Sequence, residues 1–458
     1  MKIKLKIIIL AIILILFGIT GYVEASEAEN ISTAVTIKYN KQTTKKLSDD
    51  STSTKLSITA NSEIKITSEK PIGSVYVKYE NSAKLGTLIC GTQQYNLGTS
   101  GFLHEYIQLK DSEEIKEVSL TYSENVQISE IYCFTNGEVP SWVQKWKTQD
   151  GNVDLMLFST HSDDEHLFFA GLLPTYVAKG FNVQVIYLTN HNTTPTRLHE
   201  QLDGLWNVGI TSYPVIGPFP DAFANSLEGA VKNLKSAGFT QDDVISFQVE
   251  QIRKFKPLVV VGHDEKGEYS HGQHMLNTDA LKQSIVKSDD ENYDEQTAKE
   301  YGIWQTPKMY LHLYQQNQIT MNYDTPLDYF DGKTAYEISK IGYSYHKSQQ
   351  YTWFTKWLKG PNNSYTSATQ ITTYSPTNFG LFYTSVGEDV QKNDMFENIN
   401  KSEFRPQKTV DSQQSSGNQE QSVAKKQFKI EYIVIAVVIL IIIVGTIVLI
   451  RKKTIAKN

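Results

Sequence analysis

The sequence predicts an α/β protein with a Rossmann-like, mostly parallel sheet, preceded by an all-β sandwich and followed by a C-terminal transmembrane helix. Three observations predict it. From Val153 onward short apolar runs alternate with amphipathic stretches, the pattern of strands covered on both faces by helices. Before them, over about 31–149, Thr, Ser, Val, Ile and Tyr dominate in alternating segments separated by turn-formers, as in antiparallel sandwiches. Near the end, Tyr432–Ile450 is an apolar run free of charge and closed by Arg451, Lys452 and Lys453, long enough to cross about 30 Å of hydrocarbon.

The first element is a leader. Lysines 2, 4 and 6 precede an apolar run from Ile7 to about Val23, and small residues follow. That layout reads as a signal peptide over 1–28, cleaved after Ala25 or Ala28; the alternative is an uncleaved anchor. The segments SVYVKYE, EVSLTY and QISEIYCF are sandwich strands, and NGEVPSWVQKW, with Pro140, Trp142 and Trp146, is the exit from that domain. The arrangement resembles a galactose-binding-type jelly roll, so its aromatics either bind glycan or pack in the core. Cys90 and Cys133 are the two cysteines of the chain, and both lie in strand-like runs. In an oxidising compartment they form one disulfide or serve as two small core residues.

In the α/β region, expected over 150–400, VDLMLFST is the first buried strand and DEHLFFAGLLPTYVAKG a helix ending on Gly180. NVQVIYLTN, YPVIG and LVVVGHD are further strands. RLHEQLDGLWNVG is a helix ending on Gly209, and DDVISFQVEQIRKFKP is a helix opening on an acidic cap. MYLHLYQ and the aromatic-rich YEISKIGYSYHKSQQYTWFTKWL continue the domain. The polar stretch 401–427 cannot bury a core and reads as a flexible stalk. The span 432–450 and a cytoplasmic tail at 451–458 complete a single-pass cell-membrane protein with its catalytic domain outside. A net charge of −6 without basic clusters in the exported part excludes nucleic acid as a partner. No protein partner is inferred.

Two clusters carry chemistry, and each follows a predicted strand, where ligands bind in open α/β sheets. THSDDEH supplies His161, Asp163, Asp164 and Glu165; GHDEKGEYSHGQH supplies His263, Asp264, Tyr269, His271 and His274. Amide hydrolysis near neutral pH needs an activated water, a base, an oxyanion partner and a proton for the leaving amine. A zinc ion held by imidazole and carboxylate activates the water. The two clusters contain every part.

These residues resemble the PIG-L/LmbE-like N-acetylglucosamine deacetylases. The family's His-Pro-Asp-Asp-Glu motif stands here as His161-Ser162-Asp163-Asp164-Glu165, and its Gly-Tyr-His-x-x-His region as Gly267 through His274. Arg197, Glu200 and Gly209 match the intervening helix. The resemblance implies that His161, Asp164 and His274 bind one Zn2+, or another divalent transition metal. It makes Asp163 the general base, gives Tyr269 and His271 the oxyanion and proton transfer, and places Arg197 and His346 against substrate. Glu165 would orient ligands from behind. Ser162 departs from the family's proline, which implies a looser turn. The implied reaction removes the acetyl group from an N-acetylated amino sugar of an envelope glycan or glycolipid and releases acetate. The alternatives are an inactive surface glycan-binding protein, or a zinc hydrolase of another amide; absence of an HExxH helix argues against the commonest peptidase plan.

Overall fold

Strand β1 (Thr36–Tyr39), β2 (Gln42–Thr44), β4 (Ile64–Thr67), β6 (Gly86–Cys90), β7 (Gln93–Leu97) and β9 (Glu117–Tyr122) pair as a six-stranded sheet in the order β2-β1-β4-β9-β6-β7. The strands β3 (Leu56–Ile58), β5 (Ser74–Tyr79), β8 (His104–Gln108) and β10 (Val126–Phe134) form a second sheet, β3-β10-β5-β8, again antiparallel. Alternation decides these faces: in β9, Val118, Leu120 and Tyr122 point inward between more exposed neighbours. They meet Ile64, Ile66, Val75, Val77 and Ile131 in one core. This is a computed structural model, and it describes residues 26–110 and 114–405. The expectations for a signal peptide, for nearly all of the stalk, and for the membrane span and tail lie outside the described residues. Among the described residues no helix is long and apolar enough to cross a membrane.

Cys90 and Cys133 are buried and free. They belong to different sheets, and of the two readings the structure takes the core one.

The third sheet has seven strands: β11 (Leu155–Ser159), β12 (Val183–Thr189), β13 (Val215–Phe219), β14 (Val259–Gly262), β15 (Lys308–His312), β16 (Gln318–Thr320) and β17 (Asn378–Thr384). Their order is β13-β12-β11-β14-β15-β17-β16. The first five run parallel; β17 is antiparallel to both β15 and β16. Helices α1 (Asp164–Leu167), α2 (Leu172–Ala178), α3 (Thr196–Asn207), α4 (Leu227–Ser236), α5 (Gln241–Phe255), α6 (Gly272–Lys287), α7 (Glu295–Tyr301), α8 (Ala335–Tyr345) and α9 (Thr352–Lys359) accompany it. Strand β11 explains the apolar run in its sequence. Leu155 and Leu157 enter a core shared with α2, α3, α8 and α9, while Met156 and Phe158 enter one shared with α5 and α6.

Two expectations are corrected. The stretch 164–180 is two helices, because Gly171 adopts φ 91 and a Cβ there would sit 2.3 Å from the Tyr323 ring. Helix α5 starts from Thr240, whose side chain and that of Asp243 form a reciprocal capping box; the acidic residue completes the cap from the first turn. The sandwich meets the α/β layer along a polar seam, where His104 and His199 share a hydrogen bond of 2.7 Å and Phe102 stacks on Tyr213 at 4.2 Å.

Candidate metal centre

Four neighbouring strands, β13, β12, β11 and β14, deliver their C-terminal ends to one rim. The turn after β11 carries His161 to Asp164, the loop after β14 carries Tyr269 and His271 and leads into the first turn of α6 with His274, and the loops after β12 and β13 add His191 and Asp221. Both predicted clusters therefore meet. His161 Nδ1 lies 3.2 Å from Asp164 Oδ2 and 3.2 Å from His274 Nε2, and the last pair is 3.3 Å apart. All three side chains are buried.

Hydrogen bonds set which nitrogens are free. His161 Nε2–H donates to Gln273 Oε1 at 3.1 Å, and the Gln273 amide is itself oriented by donating to Pro220 O and accepting from the Ala222 N–H. His274 Nδ1–H donates to Glu268 Oε2 at 2.7 Å. His161 Nδ1 and His274 Nε2 therefore face each other and the Asp164 carboxylate, and a metal ion would take the place of the proton on His274 Nε2. Tetrahedral zinc with ligands at about 2.0–2.1 Å requires them roughly 3.3 Å apart. The three donors fit one small divalent ion and leave the remaining position open, as in catalytic rather than structural sites.

Glu268 anchors the centre from behind, accepting from His263, His274 and His312. Burial would raise its carboxyl, but the imidazoles hold it well below the usual range, His263 foremost. Burial works against charge on His274 as well, yet Asp164 and Glu268 pull its pKa up to about 10. A cation at this point is thus electrostatically favoured. His263 is no donor to the cradle: its Nε2 accepts the Thr160 N–H and its Nδ1–H serves Glu268. Asp264 lies beside this network, its N–H on Glu268 Oε1.

Asp163 sits at φ 120, ψ −25, a strained backbone for a residue with a side chain. Its Oδ2 is buried without a hydrogen-bond partner among the described residues, and its Oδ1 lies 3.3 Å from Arg197 Nη2. Burial pushes its pKa well up, with Arg197 pulling against it. Ser162 pins this turn by donating its N–H to His191 Nε2 and its hydroxyl to Arg197 O. The turn is therefore not loosened by the missing proline; two hydrogen bonds, neither of which proline could make, hold it. Glu165 accepts the Asp163 N–H at 2.9 Å and lies 3.0 Å from His346 Nε2. The sequence placed Glu165 behind the ligands; it supports the Asp163 backbone. His346 is fully buried, with Nε2 against Glu165 and Nδ1 3.5 Å from the Ser162 hydroxyl, a position from which it braces the turn.

His271 caps α6 through its Nδ1, which accepts the Gln273 N–H, so the proton resides on Nε2. Burial and the neighbouring rings of His161 and His274 lower its pKa to about 2, keeping it neutral. Tyr269, at φ 46, packs its ring 5.3 Å from His271 and 5.4 Å from the exposed Trp353. Arg197 bridges Asp163 and Asp221. Asp221, Gln273 and Glu268 were not singled out by sequence reasoning. The only sequence signal for them was position: Asp221 follows a strand end, while Gln273 and Glu268 lie inside the second cluster.

An α/β sheet with a three-donor cradle at its carboxyl rim, next to an unpartnered carboxylate, defines a domain able to hold one divalent ion. Residues 156–285, which include both clusters, match the family model described as PIG-L, GlcNAc-PI de-N-acetylase, and the chain carries a PIG-L domain there. No curated protein matches the chain. Among solved structures, a conserved protein from Thermus thermophilus is 14% identical over 53% of this chain and 99% of that one, with a TM-score of 0.36. The N,N'-diacetylchitobiose deacetylase from Pyrococcus horikoshii is 14% identical over 50% of this chain and 83% of its own, with a TM-score of 0.36. A 4-carboxy-2-hydroxymuconate hydratase from Pseudomonas putida is 17% identical over 53% of this chain and 100% of that one, with a TM-score of 0.30.

Proposed function

We propose that this protein is a zinc-dependent deacetylase that hydrolyses the acetamido group of an N-acetylglucosamine-type sugar and releases acetate. The observation that carries the proposal is the cradle of His161, Asp164 and His274, whose three facing donors lie 3.2–3.3 Å apart. The PIG-L match over 156–285 supplies the substrate class. A divalent ion held there would acidify a water and polarise the acetyl carbonyl.

The chain's own groups do the rest. Asp163 Oδ2, with no other partner, accepts the proton of the attacking water. Its raised pKa suits a carboxylate that must hold that proton until the amine departs. The Nε2–H of neutral His271 donates to the oxygen as it gains charge, and Tyr269 closes the same side. Arg197 keeps Asp163 aimed and bounds the mouth beside Asp221. The leader and the apolar run in the sequence support a place in the cell envelope, with a surface glycan or glycolipid as the acetylated carrier.

The test is acetate release from N-acetylglucosamine oligomers by the zinc-loaded protein. Asp163→Asn should lower the rate by about 10²–10⁴-fold while leaving one equivalent of metal bound. Loaded protein that releases no acetate from any acetylated amino sugar ends the proposal.

A further inference from the structure

We infer that the cleft between the sandwich and the α/β layer is a second saccharide-binding site, one that takes a neutral or amine-bearing sugar. The cleft encloses about 660 Å³, within the range of small-ligand pockets, which spans roughly 300–1,000 Å³. It lies apart from the metal cradle and includes none of the cradle's residues.

Its walls come from both halves of the molecule. The sandwich contributes Trp142, still exposed and set 5.0 Å from the Tyr132 ring, and the α/β layer contributes Trp206 from α3. The Trp206 indole is fixed by donating its N–H to Ser141 O at 2.8 Å. Rigid aromatic faces suit the apolar face of a pyranose ring, and an indole face also attracts an ammonium group. Around them stand hydrogen-bonding groups that are already oriented. Tyr132 donates to Asp50 at 2.8 Å, and Glu130 uses Oε1 to accept the N–H groups of Asp49 and Ser51. Glu130 is a residue of the cleft wall, and its other oxygen is buried with no hydrogen-bond partner among the described residues.

The charges decide the kind of sugar. Asp50 and Asp203 face one cation among the described lining residues, Lys78, which lies 3.7 Å from Asp203 and is therefore already engaged. Burial pushes the Glu130 carboxyl up to about 8, so that it can donate as well as accept. Uronates, phosphates and sulfates would meet net negative charge and, among the described residues of the cleft, no spare cation.

The proposal does not rest on the reaction assigned to the metal centre. It is tested by calorimetric titration of the whole protein, carrying Asp163→Asn to prevent turnover, with tetramers of N-acetylglucosamine, of glucosamine and of galacturonate. The first two should bind and the anionic tetramer should not. Thr33→Trp, which plants a ring from an exposed wall position, and Trp142→Ala should each weaken binding about tenfold or more. Thermal melts of both variants check folding, and Thr33→Trp leaves the core untouched. No titratable heat from either uncharged or cationic tetramer overturns the inference. So does unchanged affinity in Thr33→Trp, which would place all binding at the metal mouth, or tight binding of galacturonate. Loss of the deacetylase reading alone would leave these titrations unaffected.

Discussion

A single amide decides whether His161 can act as a ligand. Gln273 takes the Nε2–H of that ring and so leaves Nδ1 with a lone pair aimed at Asp164 and His274. Gln273→Leu should therefore weaken zinc affinity by about 10–100-fold, measured by competition with a chromophoric chelator, with little change in melting temperature of the metal-free protein. Equal affinity in both proteins would mean that the tautomer is set elsewhere. The ligands themselves were legible in the sequence, because a His-x-x-Asp turn and a His-x-x-His pair after apolar strands are local patterns. Gln273 and Asp221 were not legible. Their roles arise from contacts with His161, 112 and 60 positions away, which no local pattern encodes.

At the level of elements, α3 and α8 approach closely over the buried ring of His166. A Cβ on Gly204 would lie 2.8 Å from the Nε2 atoms of both His166 and His346, and one on Gly342 would lie 2.5 Å from His166. Alanine in place of a mid-helix glycine ordinarily stabilises by about 0.5–1 kcal/mol. Here overpacking should reverse the sign, so that Gly204→Ala lowers stability by roughly 1–3 kcal/mol, read from chemical denaturation at constant m-value. A gain would show that the two imidazoles can move aside. The parallel strands were readable from their apolar runs, and α3 and α5 from their spacing and end signals. The antiparallel strands β16 and β17 were not: QIT is too short to show a period, and NFGLFYT pairs with β15 only because the chain returns to it from 66 residues beyond. The helix break at Gly171 also depends on a distant ring, that of Tyr323.

For the whole molecule the seam between sandwich and α/β layer is the new feature, and it is sensitive to acid. His104 and His199 are buried against each other, and burial lowers both pKa values, that of His199 to about 3. An imidazole depressed on folding is neutral in the native state, while the unfolded chain takes up its proton below about 6.5. Its contribution to stability is thus present above about pH 6.5 and lost as pH falls toward about 3. The melting temperature should drop between about pH 6.5 and about pH 4, and His199→Gln should flatten that part of the curve. A parallel profile for the variant would place the acid sensitivity outside the seam. Neither partner marks itself in the sequence as an interface residue. His104 lies in a strand and His199 on a helix 95 positions later, and only the packing of two separate layers brings them together.

The turn that presents Asp163 sets two demands against each other. Its backbone is twisted into a region that glycine occupies freely, and its carboxylate is stripped of water with one oxygen left unanswered. Replacing that side chain by a hydrogen would relieve both burdens together. Among variants of this chain selected for heat resistance alone, position 163 is where sturdier folding and chemical competence would part company first.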